Sequence, residues 1–268
     1  MTISAGLRRT LLAFTALVLA VVYVPLGLVV LNSFNTSNSF GWPPEGLTTK
    51  WWSLAAHSSG ARDALLVSVE VALLATGVAL VLGTMAAMAL QHTRFFGRNV
   101  VSLLIILPIA LPGIVTGLAL NNAFKSMFGL ELGLFTVVVA HATFCIVTVF
   151  NNVQARLRRG GGSLEEASMD LGAGTFTTFR LVTFPMMRSA LLAGALLSFG
   201  LSFDEIVVTT FTTSGQFQTL PLWIFNNLFR PNQAPVVNVV AAALVLFSIV
   251  PIYLAQRLSG DTSETMTR

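Results

Sequence analysis

Three carboxylates stand where carboxylates are costly. Glu70, Asp204 and Glu205 lie inside long apolar runs, and no lysine or arginine shares any of those runs. A charged side chain at the centre of a bilayer costs about 3 kcal/mol on insertion scales, so such groups face water, a neighbouring chain or a cationic solute. At about 1.5 Å of rise per residue, these groups come to lie roughly 10 Å inside one boundary of the membrane. On a continuous helix Glu205 shares a face with Ser198, Ser202, Thr209 and Thr212, a polar stripe suited to a wet path. Asp204 falls instead with Gly200, Val208 and Phe211, a pattern of helix contact. Two readings stand: Glu205 faces a path for cations, Asp204 supports it structurally or pairs across an interface, and Ser202 and Glu70 are further candidates for the path; or Glu70, Asp204 and Glu205 are hydrated acids near the membrane surface.

Other reactive side chains are sparse. His141 sits in an apolar run between Ala140 and Ala142; it is bonded to a neighbouring helix, or it is a proton relay or a metal ligand. His57 and His92 lie in loops without clustered ligands, so no metal site is expected. Cys145 has no second cysteine with which to form a disulfide. A phosphate-binding loop needs a glycine-rich turn ending in Lys-Ser or Lys-Thr. Lys50 precedes Trp51, and Lys125-Ser126 follows Phe124, so no nucleotide site and no catalytic residue is expected in this chain. A membrane-embedded enzyme lacks its residues here, with no paired histidines and no Ser/His arrangement.

The surroundings of these residues fix the class. Of 268 residues, 54% are apolar and 10% charged, and the mean hydropathy is +0.80. A soluble domain carries about a quarter charged residues, so a water-coated globule is excluded. Apolar runs at Leu11–Leu31, Ala64–Leu90, Val100–Leu120, Leu132–Phe150, Ser189–Phe211 and Val236–Ala255 each reach the roughly 18–20 residues that cross a bilayer as a helix. The first run, preceded by Arg8 and Arg9, is read as a retained helix because no small-x-small cleavage site follows it. With the N-terminus inside, Arg8, Arg9, Arg94, Arg98, Arg156, Arg158, Arg159, Arg180, Arg188, Arg257 and Arg268 fall inside, and only Lys50, Arg62, Lys125 and Arg230 outside. That asymmetry predicts both termini on the cytoplasmic side. It also assigns the basic charge to membrane topology, with no nucleic-acid partner.

Pro108 and Pro112 predict a bent or broken third helix, or an ordinary kinked one. Pro25 and Pro251 fall in the first and sixth runs. Trp51 and Trp52, in the outer loop 33–63, match headgroup-level anchors. The outer segment 212–235 dips toward the membrane or caps its outer mouth.

Segment 154–188 is unlike the other loops. Ser163 with Glu166 three residues later matches a capping box, and Glu165 and Glu166 lie where the helix dipole favours negative charge. Leu164, Ala167, Ser168 and Leu171 recur at helical spacing, and Gly172 stands where a left-handed C-cap belongs. The pattern predicts a two-turn helix over 164–171 and a second helix from Thr175 that ends before Pro185. Two turns are too short to be stable alone in water. The stripe therefore folds under the protein's own surface or docks into another subunit.

Glu166-Ala167-Ser168, Gly172 and Pro185 resemble the E-A-A-x-x-x-G…P loop of binding-protein-dependent ABC importer permeases, with the same spacings of six and thirteen residues. Ser168 replaces the usual alanine, small for small. Glu165 to Leu171 with Ser202-Phe203-Asp204-Glu205, and Gly41-Trp42-Pro43-Pro44 with Gly46-Leu47-Thr48, are similar to the spermidine/putrescine group. The resemblance implies an all-α membrane protein of the type I importer permease fold. It has six transmembrane helices, both termini inside, and a coupling helix between helices four and five, in one permease domain over 1–268. It implies Glu165, Glu166, Ala167, Asp170 and Gly172 as residues coupling to an ATPase. It further implies two ATP-binding subunits, a second, non-identical permease and an extracytoplasmic solute-binding protein. ATP and Mg are then held by the partners, with no cofactor in this chain. The location implied is the prokaryotic cytoplasmic (inner) membrane, and the solute a polyamine or another small organic compound. The competing reading is a self-contained proton-coupled transporter using Glu70 and Glu205, for which the short loop helix has no use.

Overall fold

The computed structural model of the chain describes residues 4–38, 42–93, 95–160, 162–230 and 232–247. Helices α1 (Ala5–Asn32), α2 (Lys50–Ala56), α3 (Ser59–His92), α4 (Arg98–Ala110), α5 (Gly113–Asn122), α6 (Leu134–Gly160), α7 (Ser163–Asp170), α8 (Thr175–Thr178), α9 (Phe184–Phe203), α10 (Val207–Thr212) and α11 (Leu220–Leu228) follow in order. α12 spans Ala234–Phe247. Among the described residues the β structure is one isolated bridge, Asn35 to Leu47. α1, α3, α6 and the continuous stretch Thr175–Phe203 are long and apolar enough to cross a membrane, and α4 with the helix after it passes the same test as a bent pair.

The chain divides into two compact units, Asp63–Trp223 and the two ends, Met1–Arg62 with Ile224–Arg268. In the first, α6 is central: Val137, Ala140, Cys145, Val147, Val149, Phe150 and Val153 are buried along it. Lipid tails are as apolar as leucine, so close approach and hydrogen bonds, rather than hydrophobic exclusion, hold helices together in a membrane. Glycines supply the approach. A Cβ on Gly83 of α3 would stand 2.9 Å from both Ile146 O and Val149 Cβ, and one on Gly194 of α9 would stand 3.3 Å from Val149 Cα. Ala79, Ala87, Leu90 and Met187 close with Cys145, Val149 and Phe150 into one core.

Two of the predicted spans are broken. The third breaks at the second of its two prolines, while Pro108 lies inside α4. A residue before proline is pushed out of the helical region; Leu111 is extended (φ −84°, ψ 143°), and Pro112 precedes α5. The two halves meet at 105°. α5 then packs on α10, where a Cβ on Gly117 would stand 2.8 Å from Phe211 Cδ2 and Asn121 Nδ2 donates to Phe211 O at 2.5 Å.

The fifth run departs from expectation at both ends. Its helix starts well before Ser189: α8 passes through a π-helical turn, Phe179–Thr183, into α9 without stopping at Pro185. The wide turn ends just before Pro185 and resets the register there, which accommodates its missing N–H inside a continuous helix. At the other end the expected continuous helix stops at Phe203, and Asp204, Glu205 and Ile206 link it to α10. The sixth run is helical over Ala234–Phe247; its remainder, with Pro251, lies outside the described residues.

In the unit of the chain ends, α1 is apolar and exposed along most of its length, Phe14, Leu17 and Val21 included, and Pro25 does not end it. The loop after it folds around Asn35. The Trp51 indole N–H donates to Asn35 O at 2.8 Å, the Glu45 amide donates to Asn35 Oδ1 at 3.3 Å, and Trp52 stacks on Phe34 at 5.3 Å between ring centres. Both tryptophans thus organise the loop itself.

Candidate functional site

What holds a two-turn helix in place is visible at α7. Glu165 is turned inward, 9% exposed, and accepts a hydrogen bond from Thr183 Oγ1 at 2.5 Å. One turn on, Ser168 Oγ lies 3.1 Å from Thr178 Oγ1. Thr178 and Thr183 are five residues apart and would point about 140° apart on a regular α-helix. The π-helical turn between them closes that angle, and both hydroxyls reach α7. At the foot of the same region Arg156 Nε donates to Met186 O at 2.8 Å.

The C-terminus of α7 follows the sequence pattern. Gly172 has φ +85°, its amide bonds Met169 O at 2.9 Å, and the Ala173 amide bonds Ser168 O at 3.1 Å. This is the paired closure of a Schellman motif. The N-terminus does not follow it. Gly162 already takes helical angles (φ −73°, ψ −10°) and is the N-cap, with no side-chain cap. Ser163 is thereby drawn into the helix, and the expected capping box does not form. Ser168 also leaves the predicted stripe, since it faces inward. The outer face carries Leu164, 56% exposed, and Leu171, 89% exposed, with Glu166, Ala167, Asp170 and Gly172 exposed among them. The described residues leave this face uncovered.

The second cluster surrounds the break between α9 and α10. His141 is fully buried. Its Nδ1 lies 2.8 Å from Ser202 Oγ in the last turn of α9, and its Nε2 lies 2.9 Å from Thr209 Oγ1 in α10. Thr209 Oγ1 also donates to Glu205 O at 2.9 Å. A hydroxyl has one proton, so Thr209 accepts from the ring. Nε2 therefore carries a proton, and Nδ1 pairs with Ser202 Oγ. The imidazole is satisfied on both sides. Cys145 Sγ and Ser198 Oγ make reciprocal bonds to each other's carbonyls at 3.4 and 3.2 Å, and Thr136 Oγ1 donates to Thr212 O at 2.8 Å.

Those bonds correct the expected polar stripe. Ser198, Ser202, Thr209 and Thr212 are buried because hydroxyls away from water take the nearest partner, and here α6 supplies His141 and the Cys145 carbonyl. Glu205 lies in the interruption between α9 and α10. It is half-buried, and its Oε1 accepts from the Val208 amide at 2.8 Å, capping α10. Asp204 ends α9 and is exposed; Glu70 is exposed on α3. The break thus gathers His141, Ser202, Asp204, Glu205 and Thr209, and no bond joins Glu70 to them among the described residues. Reading the sequence missed the anchors Thr178 and Thr183 and the partners of His141. The available signal was general: a histidine in an apolar run needs partners.

Comparison with known proteins agrees with this architecture. The family model described as "binding-protein-dependent transport system inner membrane component" matches residues 79–262. The spermidine/putrescine transport system permease protein PotC of Escherichia coli K12 is 33% identical over 254 residues, 95% of each chain. The putrescine transport system permease protein PotI of the same organism is 34% identical over 242 residues, 88% of this chain and 83% of that protein. A crystal structure of a bacterial ABC transporter that imports the acidic polysaccharide alginate superposes with a TM-score of 0.68 at 16% identity, covering 97% of this chain and 99% of that one; at that identity the likeness is one of fold. Broken apolar helices, a short helix anchored beside α9 and agreement along the chain converge on one conclusion: this chain belongs to the family of inner membrane components of binding-protein-dependent transport systems.

Proposed function

We propose that the chain is one permease subunit of an ATP-driven importer for polyamines, with no nucleotide site and no cofactor of its own. The permease is a single domain of six spans with both termini in the cytoplasm. There it meets two ATP-binding subunits, while a second, non-identical permease lies beside it and a solute-binding protein delivers cargo outside. The similarity to PotC and PotI supports the solute class. The observation that carries the coupling role is α7: its inner side is bonded to Thr178 and Thr183, and its outer side presents Leu164, Ala167 and Leu171 uncovered. Glu166, Ala167, Asp170 and Gly172 belong to the docking face, and Glu165 to the anchor. A displacement of α7 by the ATPase passes through the two threonines to the base of α9, whose far end carries Asp204 and Glu205. These acids offset the hydration that an ammonium loses on entering the membrane.

The test is uptake of labelled spermidine and putrescine by cells that lack other polyamine carriers and produce the whole transporter, with copurification of the ATP-binding subunit. Glu205→Gln keeps an oxygen to accept from the Val208 amide but removes the charge. A charge pair at 4 Å and an effective dielectric of 20 is worth about 4 kcal/mol; keeping only about a third of that predicts an uptake rate roughly tenfold lower, with copurification intact. Uptake by this chain alone in vesicles without nucleotide, or a whole transporter indifferent to both polyamines, refutes the proposal.

A further inference from the structure

We infer that His141 is a positioning residue for the acids of the fifth span: its ring spans the break between α9 and α10 and fixes where Asp204 and Glu205 stand. The break is a gap in the helical ladder at the depth of the membrane. In that setting freed backbone groups must find partners within the protein, and an interrupted helix is free to flex unless something bridges it. Among the described residues, one side chain bridges this one. His141 holds Ser202 on the near side and Thr209 on the far side, 61 and 68 residues away in sequence. Thr209 passes the link on to the Glu205 carbonyl, the residue whose own carboxylate caps α10. The carbonyl and the side chain of Glu205 are thus both engaged within one connected set of bonds, and Asp204 lies between two clamped helix ends.

Proton relay is not the role this geometry fits. Both ring nitrogens are occupied, the Thr209 proton is committed to a carbonyl, and the ring is fully buried. Flanking bonds at Cys145–Ser198 and Thr136–Thr212 hold α6 against α9 and α10 on either side, but neither crosses the break. Importance for transport rests on the reading of Asp204 and Glu205 as acids on a cation path; the geometric claim does not.

The experiment separates the two. In the assembled transporter, with Cys145→Ala and no other cysteine, spin labels at Leu201→Cys and Thr210→Cys report the distance across the break; both positions are exposed. With His141 present a single narrow distribution is expected. His141→Leu broadens it, and His141→Gln restores it, because an amide offers one donor and one acceptor in place of the two ring nitrogens. Thr209→Val cuts one end of the bridge, and it tests the same claim if His141→Leu does not assemble. Polyamine carried per ATP hydrolysed falls about tenfold in His141→Leu and recovers in His141→Gln, a rescue that loss of packing alone does not give. An unchanged distribution in both His141→Leu and Thr209→Val, or a His141→Gln distribution as broad as that of leucine, overturns the inference. A distance effect in a complex that carries no polyamine upholds the inference and counts against the transport reading instead.

Discussion

Gly172 offers a test in which geometry isolates a single energy term. Its φ of +85° lies in the left-handed region, and a Cβ built there meets no atom within 4 Å. Any effect of a small side chain is therefore a backbone effect, costing about 1–2 kcal/mol for an L-residue. At 1.4 kcal/mol per factor of ten, Gly172→Ala lowers the equilibrium constant for forming the closing turn of α7 roughly 5- to 30-fold. The two side-chain bonds that anchor α7, Glu165–Thr183 and Ser168–Thr178, contribute about 1 kcal/mol each with either residue at 172, so they leave the difference between the variants unchanged. Asparagine visits the left-handed region more readily, and a β-branched side chain resists it most. The assay is titration of the ATP-binding subunit against the purified permease pair in nanodiscs. The expected order of affinity is Gly, Asn, Ala, Val, with Ala weakened 5- to 30-fold. Equal affinity for Gly and Ala, or Asn as weak as Val, refutes the reasoning that the turn, rather than a contact made by Gly172, is what the ATPase subunit requires.

Two further outcomes follow from packing and bonding. Gly83→Ala forces a Cβ to within 2.9 Å of Ile146 O and Val149 Cβ, whereas Gly77→Ala in the same helix meets nothing within 4 Å. The first should cost about 1–3 kcal/mol and lower the melting temperature in detergent, while the second leaves it unchanged or raises it; similar melting of the two would show that α3 and α6 do not approach as described. Thr183→Val removes one donor to the inward carboxylate of Glu165, a loss of about 1 kcal/mol. A double-mutant cycle with Glu165→Ala, read as solute carried per ATP hydrolysed, should show coupling between the positions, and strict additivity would detach this bond from the transmission of movement.

Much of this protein is legible residue by residue along the chain. The apolar runs mark the four long apolar helices and the bent pair because a bilayer asks each segment for length and hydropathy, which are local sums. Leu111 and Pro112 announce the break in the third run because proline acts on its immediate neighbour, and Gly172 announces the end of α7 because left-handed backbone selects glycine. Other features needed the fold. Asp204 and Glu205 sit in a run that reads as one helix, yet the helix is interrupted there, with its two ends held by a histidine from a distant span. Ser163 reads as a cap until Gly162 takes helical angles before it, and Thr178 and Thr183 fall on one side only because the turn between them widens. Propensity and hydropathy depend on neighbours in sequence; the partner of a buried hydroxyl or imidazole is chosen among groups that packing brings within 3 Å or so, and no local rule names them.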